Sequence, residues 1–158
     1  MGPVHHHIGT PHAFSWIIRR VMEDHVIPVL PMITNTFFPP NQPTAKRCFE
    51  MGRLVGECIK EWDTDLKVAV IGSGGMSHFT IDETFDNNFL KALKARDQAF
   101  LTGIAQNILQ QGTSEMRNWI AAAGALFDTD LDGDTIDYIP CYRSEAGTGT
   151  AQGFVTWQ

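Results

Sequence analysis

Nowhere in the 158 residues does an apolar run approach the roughly 20 positions a helix needs to cross a bilayer. The longest candidate, residues 119–127, is short and rich in alanine. Positive charge is also scarce: 12 Lys and Arg stand against 18 Asp and Glu, for a net charge of −6. A polyanion such as nucleic acid is therefore not an expected partner, and the basic residues form only isolated pairs, Arg19-Arg20 and Lys46-Arg47. No basic stretch followed by an apolar run opens the chain, so it does not read as a signal peptide. The three cysteines, Cys48, Cys58 and Cys141, are odd in number and lack metal-binding spacing. They are expected as reduced thiols in a cytoplasm. Internal repeats and low-complexity segments are absent.

A hydrophobic content of 43% over this length is enough for one globular domain with its own core. Helical spacing of Phe14, Ile17, Ile18 and Val21 predicts a short helix over residues 13–22. Residues 26–33 read as a buried or edge strand interrupted by Pro28 and Pro31. A proline-rich loop over residues 35–43 leads into residues 44–62, where Cys48, Met51, Leu54, Val55, Cys58 and Ile59 form one stripe of an amphipathic helix. Residues 67–72, with Val68, Ala69, Val70 and Ile71, read as a central strand buried on both faces and ending in a glycine turn. Residues 86–109 are expected as helix in two pieces. A further helix, capped by Thr113 or Ser114, is expected to run to Leu126. Residues 136–143 and 153–157 read as closing strands around a glycine loop. The alternation predicts an α/β domain over residues 1–158, with a mixed central sheet flanked by helices. The chain begins almost at once on a crowded Pro/His segment, which reads as a start within a fold.

Four constellations carry possible chemistry. The first is the apolar run entering Gly74-Gly75-Met76-Ser77-His78. Ligands in open α/β sheets sit at strand ends, glycines admit close approach, and an imidazole there can move protons near neutral pH. The competing reading is a turn histidine bonded to backbone. A phosphate-binding reading is weaker, because the segment has neither Gly-x-Gly-x-x-Gly nor a P-loop Lys-Ser/Thr. Second, Glu115 lies at a helix start, where an ionised carboxylate is favoured and suits a divalent metal; simple capping is the commoner fate. Third, His5, His6, His7 and His12 crowd into eight residues. In a strand His5 and His7 would share a face while His6 points away, and a tag remnant is the alternative reading. Fourth, Asp128, Asp130, Asp132 and Gly133 imitate the start of a calcium loop. Its last ligand position falls on Ile139, so calcium is rejected.

Taken in order, the motifs resemble those of a known family. Asn35-Thr36-Phe37-Phe38-Pro39-Pro40, Lys46-Arg47-Cys48-Phe49, Gly74-Gly75-Met76-Ser77-His78, Gly112-Thr113-Ser114-Glu115 with Trp119, and Gly124-Ala125-Leu126 follow one another. Tyr142-Arg143-Ser144 and Gly147-Thr148-Gly149-Thr150-Ala151 close the series. The whole resembles the catalytic, β-type subunit of class III extradiol dioxygenases of the protocatechuate, gallate and methylgallate type, and specifically its C-terminal half. The resemblance implies an incomplete version of a larger α/β domain that opens catecholic aromatic acids with O2 at Fe(II). It implies His78 as the acid/base for a catechol hydroxyl proton and Glu115 as the carboxylate ligand of the iron. It implies His6, five residues before Pro11, as a further catalytic histidine, with His7 as close competitor. Thr148 and Ser77 are implied as substrate contacts. Two histidine ligands of the family's iron triad belong to an N-terminal half not represented in this sequence. The chain is therefore expected to be a fragment, to pair with a second copy, a missing N-terminal half or a small subunit, or to use its own histidine cluster. Two rival readings remain: a non-catalytic module binding an aromatic acid or a partner, and a small protein binding metal through His5 to His12.

Overall fold

The computed structural model describes residues 11–23, 25 and 27–158. The chain divides into two compact units, Met1–Ile33 and Thr34–Gln158. In the first, α1 (His12–Arg20) forms where the apolar spacing predicts a helix, closed by Arg19 and Arg20 in its last turn, where cations complement the helix dipole. Residues 27–33 form no strand, and Leu30 and Ile33 are largely exposed. The two prolines, expected only to interrupt a strand there, remove two of its ladder donors. Val26, the start of the expected strand, lies outside the described residues.

The second unit holds α2 (Ala45–Glu61), β1 (His78–Thr80), α3 (Glu83–Lys94), α4 (Gln98–Gly103), α5 (Met116–Leu126), β2 (Gly133–Tyr142) and β3 (Thr148–Trp157). A single 3-10 turn, Ile108–Gln110, precedes α5. Thr44 caps α2 by accepting from the Arg47 amide, and Asp82 caps α3 by accepting from the Phe85 amide. α2 packs along α5. The approach is close enough that a Cβ on Gly52 would collide with the Ala121 carbonyl of α5. Phe49, Phe89, Met76, Leu101, Leu109 and Ile120 are fully buried at the centre of the core. Each contributes about 1.5–3 kcal/mol by leaving water.

The α/β class is as expected, with a three-stranded sheet in the order β1-β3-β2 and helices beside it. Both strand pairs are antiparallel, so the sheet among the described residues is not the mixed one anticipated. Residues 67–72 are not its central strand. They carry no regular structure, and Val68 and Ile71 are exposed. The physical reason is the missing ladder, since among the described residues no strand runs beside them to satisfy their backbone. The expected closing strands are present as a hairpin, each longer than anticipated.

Candidate functional site

The site is assembled on the first turns of α5. Residues 73–75 carry no regular structure, and three consecutive residues are tied to that helix. Asn118 Nδ2 donates to the Ser73 carbonyl at 2.8 Å, Trp119 Nε1 donates to the Gly74 carbonyl at 2.9 Å, and the Gly75 amide donates to Glu115 Oε2 at 2.7 Å. The chain then joins the sheet. The Met76 amide donates to the Ala151 carbonyl, and the Ala151 amide donates to the Ser77 carbonyl, just before His78 pairs with Thr150 in β1.

The imidazole of His78 is held by its Nδ1, which lies 2.8 Å from both the Met76 and the Gly112 carbonyl oxygens. A carbonyl only accepts, so Nδ1 carries the proton. In the neutral ring Nε2 is therefore the basic nitrogen. Gly75 lies against the ring, where any Cβ would come 2.5 Å from His78 Cε1. Here glycine serves close approach rather than a turn. Nε2 faces Glu115, 3.8 Å from its Oε2, with both side chains partly open to solvent.

Glu115 stands at the N-cap position of α5 without capping it, and neither Thr113 nor Ser114 supplies the cap anticipated from the sequence. Thr113 Oγ1 donates instead to the Ile108 carbonyl. With the Gly75 amide on Oε2, the other carboxylate oxygen, Oε1, takes no hydrogen bond among the described residues. Among the described residues no three His, Cys, Asp or Glu side chains converge as a metal-holding group. Among the described residues the Glu115 carboxylate thus stands without the partners of a three-ligand site.

The remaining sequence-derived candidates are more scattered. Ser77 is 1% exposed and gives its hydroxyl to Asp86 Oδ2 at 2.6 Å. Thr148 opens β3 opposite Thr80, exposed, with its hydroxyl 2.6 Å from that of Ser144. His6 and its neighbours His5 and His7 lie outside the described residues. An open cavity of about 390 Å³ borders His78, with Thr80, Asp82, Asn107, Gln111 and Thr113 among its walls; Glu115 is not one of them. That volume lies within the range of small-molecule pockets.

Asp86 was not among the candidates. It is wholly buried, and its carboxyl accepts from the Ser77 amide, the Ser77 hydroxyl and the Tyr138 hydroxyl. Burial pushes its pKa up, against the lowering effect of those hydrogen bonds. The signal was present in the sequence. Asp86, Phe89, Leu90 and Leu93 fall at i, i+3, i+4 and i+7, which places an acid on the apolar face of α3.

A 36-residue stretch is 44% identical to gallate dioxygenase of Pseudomonas putida, covering 23% of this chain and 11% of that protein. A 51-residue stretch is 41% identical to the 2,3-dihydroxyphenylpropionate/2,3-dihydroxicinnamic acid 1,2-dioxygenase of Photorhabdus laumondii, covering 32% of this chain and 15% of that protein. In both, the shared stretch is far less than two thirds of the relative's length. The family described as the catalytic LigB subunit of aromatic ring-opening dioxygenase matches residues 17–149, most of the chain. The chain belongs to the LigB family, that of the catalytic subunit of aromatic ring-opening dioxygenases.

Proposed function

We propose that this chain forms the His78–Glu115 part of an Fe(II)-dependent extradiol dioxygenase that cleaves a catecholic aromatic acid of the protocatechuate or gallate kind with O2. The observation that carries the reading is the pairing of a fixed imidazole, basic at Nε2, with a carboxylate 3.8 Å away that keeps one oxygen unbonded. In this role His78 takes the proton of a catechol hydroxyl at Nε2 and returns it later, with Nδ1 as the permanent anchor. Glu115 would hold the iron, with the Gly75 amide keeping the carboxylate turned. The iron itself would supply positions for both catechol oxygens and for O2. Its two imidazole ligands would come from outside the described residues. Thr148 serves the substrate side of the same reading, Ser77 lines the cavity beside His78 with its hydroxyl committed to Asp86, and His6 takes a second catalytic position.

We place the protein as the C-terminal half of the family's catalytic domain, completed by a second copy, an N-terminal half or a small subunit. The exposed apolar residues Leu66, Val68 and Ile71 support this, because a strand-like run without a neighbour is a template for one from another chain. The free Cys48, Cys58 and Cys141 suit a reducing cytoplasm. The test is iron stoichiometry with catechol-dependent oxygen uptake, in this chain alone and fused to the N-terminal segment of a homologue. Weak iron binding alone and restored binding with ring opening in the fusion are expected. Family-like cleavage by the chain alone would show that His5 to His7 complete the site. No metal and no turnover in either form would leave a non-catalytic module.

A further inference from the structure

A buried carboxyl without a cation needs an explanation. Among the described residues no Lys, Arg or His pairs with Asp86, and a hydrophobic residue of similar size in its place costs nothing in desolvation. Two of the three donors it satisfies belong to one residue, Ser77, whose amide reaches Oδ1 at 3.2 Å and whose hydroxyl reaches Oδ2 at 2.6 Å. The Ser77 hydroxyl in turn accepts from the Asp82 amide at 3.0 Å, and the Ser77 carbonyl accepts from the Ala151 amide at 2.8 Å. Every polar group of Ser77 is thereby fixed, on both sides of the chain, and the next residue is His78. The third donor, Tyr138 from β2, braces Oδ2 at 2.9 Å without touching Ser77.

We propose that Asp86 is a positioning residue for His78: by clamping Ser77 it keeps the adjoining imidazole with Nδ1 on the Met76 and Gly112 carbonyls, and so keeps Nε2 as the basic nitrogen. The path is short. Met76, whose carbonyl receives Nδ1, and His78 itself flank the clamped residue on either side. A rotation at Ser77 moves both the ring and one of its two anchors. Without the clamp, the neutral ring is free to populate the tautomer with the proton on Nε2, which cannot accept one there. The inference rests on His78 as the proton-handling group, but it concerns how the ring is held, not whether turnover occurs.

Nitrogen-15 NMR of the full chain tests it, read at one pH well above the ordinary histidine range so that the ring is neutral. Wild type is expected to show a single tautomer protonated at Nδ1. Asp86→Asn and Ser77→Ala are each expected to give a mixture of both tautomers. Tyr138→Phe, which removes a donor from the same carboxyl but leaves Ser77 clamped, is expected to lower the melting temperature and keep the single tautomer. A merely structural Asp86 predicts lower melting temperatures throughout with the tautomer unchanged. Retention of the pure Nδ1–H form in Ser77→Ala overturns the proposal, and this variant decides the matter even where Asp86→Asn does not fold. Mixing in Tyr138→Phe as large as in Ser77→Ala overturns it too. The tautomer is read without substrate, so an inactive protein with a clamped His78 would sink the catalytic reading and leave this one standing.

Discussion

Leu66, Val68 and Ile71 are 66%, 44% and 50% exposed, whereas Met76 and Ser77, a few positions on, are 0% and 1% exposed. The first stretch is the more hydrophobic, yet the second is the one the fold encloses. The difference lies in the backbone. In residues 73–77 the Ser73, Gly74 and Ser77 carbonyls and the Gly75, Met76 and Ser77 amides are taken by α5, by Ala151 of β3 and by Asp86, so most of the polar backbone there keeps partners away from water. Residues 66–71 have no ladder among the described residues and stay at the surface despite their side chains. Apolar content is a tendency toward burial. Satisfied hydrogen bonding is what permits it.

The sharpest way to break this contrast is to remove packing beneath the enclosed stretch. Phe89, fully buried on α3 and ring-to-edge against Trp119 at 6.5 Å, should cost about 3–5 kcal/mol as Phe89→Ala, measured by urea unfolding. A loss below about 1 kcal/mol would mean that the core is not organised around it.

Cys48 gives the contrast a pH axis. Burial raises its thiol from 9.0 to about 11, with the Arg117 guanidinium pulling the other way. A folded pKa above the unfolded one means that the contribution is complete below pH 9.0 and is lost as pH rises through about 11. Stability of wild type relative to Cys48→Ala should therefore fall across that interval. At neutral pH an alkylating reagent should modify the exposed Cys58 and Cys141 and spare Cys48.

Smaller effects belong to single hydrogen bonds and to the exposed run. Trp119→Phe keeps most of the ring but removes the donor to the Gly74 carbonyl, and should cost about 1 kcal/mol in thermal unfolding. Val68→Thr should fall within about 0.5 kcal/mol of wild type. A large loss there, in the chain by itself, would mean that residues 66–71 are covered after all.

Much of this architecture was legible in the residues. The stripe from Cys48 to Ile59 made α2, and two β-rich stretches around a glycine loop made the β2–β3 hairpin. What escaped depends on distant partners. β1 is three residues long and follows two glycines, so no periodicity announces it; it exists because β3 lies beside it. Residues 67–72 differ from expectation for the complementary reason: their composition suits a central strand, but among the described residues no strand lies beside them. At the site, the glycine turn and the helix-start acid pointed to His78 and Glu115. The choice between capping and an open carboxylate needed the Gly75 amide, forty positions away. Asp86 was hidden by its place in the first turn of α3, where an acid ordinarily answers the helix dipole, although its apolar neighbours at helical spacing marked it as buried.

The central claim, that His78 and Glu115 divide proton handling from iron holding, is tested most directly by comparing His78→Ala with Glu115→Ala in the iron-loaded fusion, reading bound iron and catechol-dependent oxygen uptake on the same samples. The account predicts that His78→Ala keeps its iron and loses roughly 100- to 10,000-fold in turnover, while Glu115→Ala loses the iron and with it the activity. Glu115→Ala with full iron and unchanged uptake, or His78→Ala turning over like wild type, would contradict it.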